Sequence, residues 1–404
     1  MRTLIPRSST ASWLAALLLV LVTPWCTAQT VLLSDWLKPS SDSLKLWLVN
    51  QEADNPFRAS ITLIKKPAGN IPAKRVLILY PRASSAYDVA LNRLLDVFNE
   101  RDVHANFLVL NFQNNPTLGI QAVELVKKTN FDLVYTMGSE STDFMFEKYK
   151  GGKTPIVSVC SKDPVLLGQM KGYEKGSGTN FAFTSLNMQI DAQLAYLLEL
   201  KPKLKNIGIM VDIKNKSAVQ TQAEPIAKAA KALGIHAVNI VVEDPAAASK
   251  ELTQKVPLAL EQMRKTDPGL GNSVFWITGS TAVFKEIATI NSVSSTVPVI
   301  SVVPEVAKEG DDSAVLSFGI SFDSNAYLAA IYGADILTGK AKVGELKVGI
   351  VTPPDISINF RRAKQIGLKI PFSFFERAGY IYDYNGKPAR LRGITQLEPK
   401  QPRN

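Results

Sequence analysis

From Lys74 onward, short apolar runs alternate with longer amphipathic stretches, and this alternation constrains the fold more than any other feature of the chain. The segment Arg75–Tyr80 is almost wholly apolar, as in a strand buried on both faces. Ala86–Glu100 then carries Val89, Leu91, Leu94, Leu95 and Phe98 at helical spacing. The same order repeats, with strands expected at Ala105–Phe112, Asp132–Met137 and Pro155–Cys160 and helices at Leu118–Lys128 and Ser141–Tyr149. A weaker strand signal covers Asn180–Ser185. A second series opens with a helix at Gln189–Leu200. Its strands are expected at Asn206–Val211, His236–Val242, Ser273–Ile277 and Val297–Val302. Its helices are expected at Gln220–Leu233, Ala247–Arg264 and Thr281–Ile290, and Gly234 stands where a left-handed helix stop belongs. The pattern ends with a strand at Ala314–Ile320, a helix at Ser324–Thr338 stopped by Gly339, and a strand at Val348–Ile350.

Alternating strands and helices build parallel sheets covered on both faces. The Gly-rich loop Gly172–Gly178 separates the two series, so the expected class is α/β with two doubly wound, Rossmann-like lobes joined by crossover strands. A single closed eight-stranded barrel is the competing arrangement. The first lobe is expected over residues 74–183 with part of 318–345, and the second over 186–316 with part of 346–384. Residues 29–73 form an N-terminal extension without a clear pattern, with a linker at Pro67–Pro72, and residues 385–404 form a tail.

The first 28 residues read as a signal peptide. Arg2 and Arg7 precede an apolar run at Trp13–Val22, which is too short to cross about 30 Å of hydrocarbon, and Cys26-Thr27-Ala28 supplies a small-residue cleavage site. No later run reaches the length of a span, so the expectation is an exported, periplasmic protein with no stable membrane anchor. Of the 404 residues, 46% are apolar and 20% charged, enough to fill a large core. The net charge of +10 is spread along the chain without a basic block, which excludes a nucleic-acid groove. Two cysteines and two histidines exclude a disulfide scaffold and a His-rich metal site. After cleavage Cys160 is the single thiol, and its apolar run makes it a small buried hydrophobe.

Catalytic signatures are missing, and no cofactor is expected. Gly151-Gly152-Lys153-Thr154 ends like a phosphate loop, but Glu147 stands where that motif needs glycine. There is no G-x-G-x-x-G after the first strand and no G-x-S-x-G elbow. His104 and His236 sit at strand starts, where structural roles suffice. The strand ends instead carry small polar loops: Ala83–Tyr87, Gly138–Thr142, Ser161–Pro164, Asp212–Asn215 and Thr278–Thr281. In open parallel sheets ligands bind beyond the carboxyl ends of the strands. Backbone N–H groups at helix starts can hold an anionic group there, although Ser, Thr and Asp at these places are also ordinary helix caps.

The segment Ile358-Asn359-Phe360-Arg361-Arg362-Ala363-Lys364-Gln365-Ile366-Gly367-Leu368-Lys369-Ile370-Pro371 adds a family resemblance. It resembles the ending of the tryptophan/tyrosine-associated substrate-binding proteins of ABC importers, which have the type I periplasmic binding protein fold. Ala378 and Tyr380–Tyr382 follow in the same order. Lys162-Asp163-Pro164-Val165 is similar to the family's Thr-Asp-Pro-Val, and Pro298-Val299-Ile300 and Gly319 also fit. The resemblance covers about residues 74–384 and leaves residues 29–73 outside. It implies two lobes that close by a hinge on a small molecule. By position it also implies a cleft lined by Ser84, Tyr87, Ser139, Asp163, Asp212, Thr278 and Ser321.

Three departures bear on the ligand. The family's acid after the threonine is Gly279 here, its Ser-Asp after the next strand is Val302-Val303, and its Asp after the Gly-Phe pair is Ser321. A buried ammonium without a partner costs several kcal/mol. An extra ~100 Å² of apolar contact returns only about 2.5 kcal/mol. A less charged or more apolar ligand is therefore expected, unless Asp163, Asp212, Glu305 or Asp323 replaces the missing acids.

The leading expectation is a monomeric solute-binding protein. It would capture a small-molecule ligand between its lobes and deliver it to an ABC permease and its ATPase. The alternative is a ligand-poor descendant acting as a periplasmic sensor or assembly subunit through protein contacts. An exported enzyme using a cleft Ser or Asp is a third reading, testable at Asp163.

Overall fold

The structure is a computed structural model and describes residues 35–65 and 71–396. The expected signal peptide lies outside the described residues.

The first sheet contains β1 (Trp47–Gln51), β2 (Arg58–Leu63), β3 (Lys74–Tyr80), β4 (Ala105–Asn111), β5 (Leu133–Met137), β6 (Ile156–Val159) and β7 (Phe181–Ala182). Their spatial order is β1-β2-β4-β3-β5-β6-β7. β3 to β7 run parallel, and β1 and β2 are antiparallel additions outside β4. β3 shows why a run of consecutive apolar residues suits this position. Val76, Ile78 and Tyr80 pack with Leu91 and Leu94 of the helix Ser85–Glu100, whereas Leu77 and Leu79 pack with Val123 and Met145 of helices on the other face. Residues alternate between the two faces of a strand, and both faces are covered here.

A short strand, β8 (Thr184–Ser185), leads to the second sheet. That sheet is built from β9 (Asn206–Asp212), β10 (His236–Val242), β11 (Ser273–Ile277), β12 (Val299–Ser301) and β13 (Leu316–Gly319). β14 (Gly349–Ile350) pairs in parallel with β8 and lies outside both large sheets. β15 (Asp355–Asn359), β16 (Tyr380–Tyr382), β17 (Pro388–Leu391) and β18 (Ile394–Thr395) complete the second sheet in the order β10-β9-β11-β12-β13-β15-β16-β17-β18. β9 to β13 are parallel and β15 opposes β13.

Both sheets are open, which excludes the single barrel. Counting from β3 and from β9, each parallel core has the winding order 2-1-3-4-5. The fold is therefore α/β with two doubly wound lobes, as expected. The chain returns to the first lobe after β13 through the helix Phe322–Leu337, which packs on Ser85–Glu100 and β6. Ala326, Ala329, Ala330 and Ala334 form its buried stripe. Gly333 completes that stripe, since a Cβ there would lie 1.8 Å from the Tyr135 hydroxyl.

Several expected elements differ in detail. Asn180–Ser185 splits into β7 and β8, because the chain leaves one sheet there and pairs with a different partner. Gln220–Leu233 is not one regular helix, since Val219–Ala223 is a π-turn and the α-helix covers Glu224–Ala232. Thr281–Ile290 is broken into Thr281–Phe284 and Ile287–Val293. The described parts of the extension and the tail are more ordered than the sequence indicates. The former supplies the helix Ser41–Leu46, β1 and β2, and the latter supplies β17 and β18. Trp47 meets Phe107 edge to face at 5.5 Å, and Trp36 meets Tyr80 at 5.6 Å, tying the extension to the first lobe.

Candidate functional site

In a sheet wound 2-1-3-4-5 the chain departs in opposite directions from strands 1 and 3, which opens a crevice at their carboxyl ends. Those ends are β3 and β5 in the first lobe and β9 and β11 in the second. The structure brings the loops after all four together at one seam. Arg82, Ser84 and Tyr87 follow β3, and Gly138, Ser139 and Glu140 follow β5. Asn215 and Ser217 follow β9, and Gly279, Thr281 and Phe284 follow β11. Cys160 and Lys162, just past β6, complete the first-lobe wall, with Leu186 and Phe322 at the crossovers. The open space is about 40 Å³, room for a few waters.

Lys162 lies at the centre of this seam and is only 6% exposed. Its backbone N–H donates to Ser139 Oγ at 3.0 Å, and its Nζ reaches the Gly279 carbonyl across the seam at 3.5 Å. Burial lowers its pKa to about 8, against the opposing pull of Glu140. Gly279 makes room for it, because a Cβ at residue 279 would lie 2.1 Å from Nζ. The Gly279 N–H donates to Gln222 Oε1 at 2.7 Å, and the π-turn sets Gln222 in that place. Such turns often occur where a helix adapts to a site.

On the first-lobe wall, Arg82 Nη2 is 3.4 Å from Glu140 Oε1. Burial opposes its charge, but Tyr87, Glu140 and Asp212 outweigh that and leave its pKa raised. Burial also pushes the Tyr87 hydroxyl well above its ordinary range. Gly138 has φ +76°, and a Cβ there would meet the Tyr87 hydroxyl at 2.1 Å, so glycine is required twice over. Ser84 caps the helix Ser85–Glu100 without a side-chain hydrogen bond to it.

Of the seven residues singled out in the sequence, Ser84, Tyr87 and Ser139 line this seam. Asp212 and Thr278 lie at the heads of β9 and β11, with their polar groups engaged in local bonds. Asp212 Oδ1 accepts from the Lys214 N–H at 2.8 Å, and the Thr278 hydroxyl donates to the Met210 carbonyl at 2.9 Å. Asp163 lies elsewhere. Its Oδ1 accepts the N–H groups of Val165 and Leu166, its Oδ2 accepts the Tyr173 hydroxyl, and it borders a separate cavity of about 130 Å³. Ser321 borders a third cavity, of about 240 Å³, together with Glu305, Asp323, Tyr380 and Arg392. Arg82, Glu140, Lys162 and Gln222 were not singled out. The signal for Lys162 lay in two departures from the family pattern, lysine for threonine at 162 and glycine for an acid at 279, whose positions meet in space.

Among the described residues no cluster of His, Cys, Asp and Glu could hold a metal ion, and no helix is long and apolar enough to cross a membrane.

The family described as "ABC transporter substrate binding protein" matches residues 83–381. The chain belongs to this family. A tyrosine-binding protein of Clostridioides difficile (strain R20291) is 27% identical over 264 residues, covering 64% of this chain and 70% of that one. Among solved structures, a conserved domain protein from Vibrio cholerae superposes with a TM-score of 0.61 at 21% identity, covering 76% of this chain and 99% of the other. An ABC domain from Streptococcus pneumonia in complex with L-Trp superposes at 0.60 with 18% identity, covering 76% and 100%. The ligand-free, open form of a substrate-binding protein with adhesive properties from Clostridium difficile gives 0.58 at 21% identity, covering 76% and 98%. These likenesses agree with the type I periplasmic binding protein fold. As a member of this family, the protein is a solute-binding component of an ABC importer.

Proposed function

We propose that the seam between Lys162 and Gly279 is the solute site, and that the lobes part to admit a small molecule and close on it. The solute then passes to a membrane permease driven by its ATPase, outside the cytoplasm, after export through the N-terminal segment. One observation carries this reading: the carboxyl ends of β3, β5, β9 and β11 converge on a single seam, with polar groups on both walls. Closure of this kind follows when the solute prefers the closed form over the open one.

Native mass spectrometry of the protein purified from its own periplasm tests the proposal. A co-purified metabolite is expected, and Ser139→Leu should release it. A metabolite retained by that variant would place the site elsewhere, the cavity beside Glu305 first.

The narrow seam favours one further reading. Lys162 fills the space that a guest would need, as it would in a descendant working through protein contacts. Capture of a sensor kinase and no permease, with no co-purified metabolite, would support that reading over solute delivery.

A further inference from the structure

The charge on the two walls of the seam is unequal. The second-lobe wall presents Asn215, Ser217, Gly279 and Thr281, none of them charged. The first-lobe wall presents Arg82 and Lys162 against a single carboxylate, Glu140, which lies 3.4 Å from Arg82. Lys162 is buried with one acceptor at 3.5 Å for its three ammonium protons. Asp163 is held by its own loop and by Tyr173, and Asp212, whose Oδ1 accepts from Lys214, draws on the charge of Arg82. An incoming ammonium would therefore meet two cations, with the carboxylates of Glu140 and Asp212 already drawn toward Arg82. An incoming carboxylate would meet an under-bonded ammonium and a guanidinium, and buried charges are stable only when paired. Beside these groups the seam is walled by Leu186, Phe284 and Phe322.

We propose that the seam selects an apolar carboxylate that carries no ammonium group, with the carboxylate on Lys162 and Arg82 and the apolar part against Leu186, Phe284 and Phe322. This rests on the reading of the seam as the solute site. The lowered pKa of Lys162 agrees with it, because an anion beside the ammonium would offset the burial that lowers it.

Calorimetry on the full chain can compare pairs that differ only in the amine: tyrosine with 4-hydroxyphenylpropionate, and tryptophan with indolepropionate. The amine-free member of at least one pair is expected to bind at least about 10-fold more tightly, a difference of about 1.4 kcal/mol. Lys162→Met should lose at least that factor for the carboxylate, and Lys162→Arg should retain most of it. Circular dichroism checks that both variants fold. The double variant Lys162→Thr with Gly279→Asp should turn the preference toward the amino acid.

Amino acids binding as tightly as their amine-free partners would overturn the inference and leave the solute-binding reading standing. So would a Lys162→Met protein that binds the carboxylates like the parent, or a broad metabolite panel in which only neutral or cationic members bind. A panel in which no member binds would overturn both.

Discussion

Lys162 and Glu305 both sit in environments that oppose their charge, and each gives a test. Lys162 has an ordinary pKa of 10.5 and about 8 in the fold. Below pH 8 it is charged in both the folded and unfolded chain, and the folded chain bears the cost. Between about 8 and 10.5 the unfolded chain binds more protons, so stability rises with pH. Lys162→Met should therefore stabilise the ligand-free protein by about 3 kcal/mol at pH 7, and this gain should vanish above pH 10.5. Urea denaturation of both proteins across that window reads it directly, and a gain that does not change with pH would disprove it. Glu305 is the opposite case. Its Oε1 accepts the Phe322 N–H at 2.6 Å, whereas its buried Oε2 has no partner. Burial pushes it up to about 8, with Asp355 and Asp323 adding to the shift. Between about 4.5 and 8 the folded chain holds the extra proton, so stability falls as pH rises. Glu305→Gln should remove that slope and stabilise the protein at pH 8 by about 1–3 kcal/mol. Equal melting profiles of parent and variant at pH 5 and pH 8 would contradict this. Neither residue could be weighed from sequence alone. Ser84, Tyr87 and Ser139 were legible because strand ends are, but the burial of Lys162 depends on a glycine over a hundred positions away.

At the scale of elements, close backbone approach sets the limits. A Cβ on Gly319, at the end of β13, would lie 1.9 Å from the Val302 carbonyl oxygen, where only backbone could yield. Gly319→Ala should destabilise by about 2–3 kcal/mol, read as a lower urea midpoint at unchanged slope. Asn359, fully buried in the Ile358–Pro371 segment, ties that segment to the loop at residues 308–310. Its Oδ1 accepts the Arg362 N–H at 2.9 Å, and its Nδ2 donates to the carbonyls of Lys308 and Gly310, both at 2.8 Å. Asn359→Ala leaves those two carbonyls without this donor and removes a helix cap, a loss of about 2–3 kcal/mol by the same measurement. The structure thus gives a packing reason for an asparagine that the sequence offered only as part of a family pattern. The parallel strands were legible for a simple reason: consecutive apolar residues need cover on both faces. The π-turn at Val219–Ala223 was not, because one extra residue in a helix barely disturbs its apolar spacing, and the bond that Gln222 accepts from the Gly279 N–H is a contact within the second lobe that spacing does not reveal.

For the whole molecule, the sequence conveyed the two-lobe plan but not its edges. β1 and β2 add antiparallel strands outside β4, and their pattern was hidden by shortness and by the polar stretch at Ser40–Ser43. Removing residues 35–65 would bare the edge of β4 and the face of Phe107. Exposed edges promote association, so this truncation should run as aggregates in size-exclusion chromatography, and a monodisperse truncated protein would show that the extension is dispensable. The position of Asp323 has a wider consequence. Its Oδ2 lies 3.7 Å from Arg93 on the first-lobe helix, and its Oδ1 lies 3.1 Å from Arg392 at the second-lobe edge. One carboxylate thus holds a guanidinium on either side of the border, and a swing that parts Arg392 from Asp323 breaks the shorter of the two pairs. Dissolved electrolyte weakens such an attraction, so the balance between gaping and shut forms inherits a dependence on the saltiness of the surroundings.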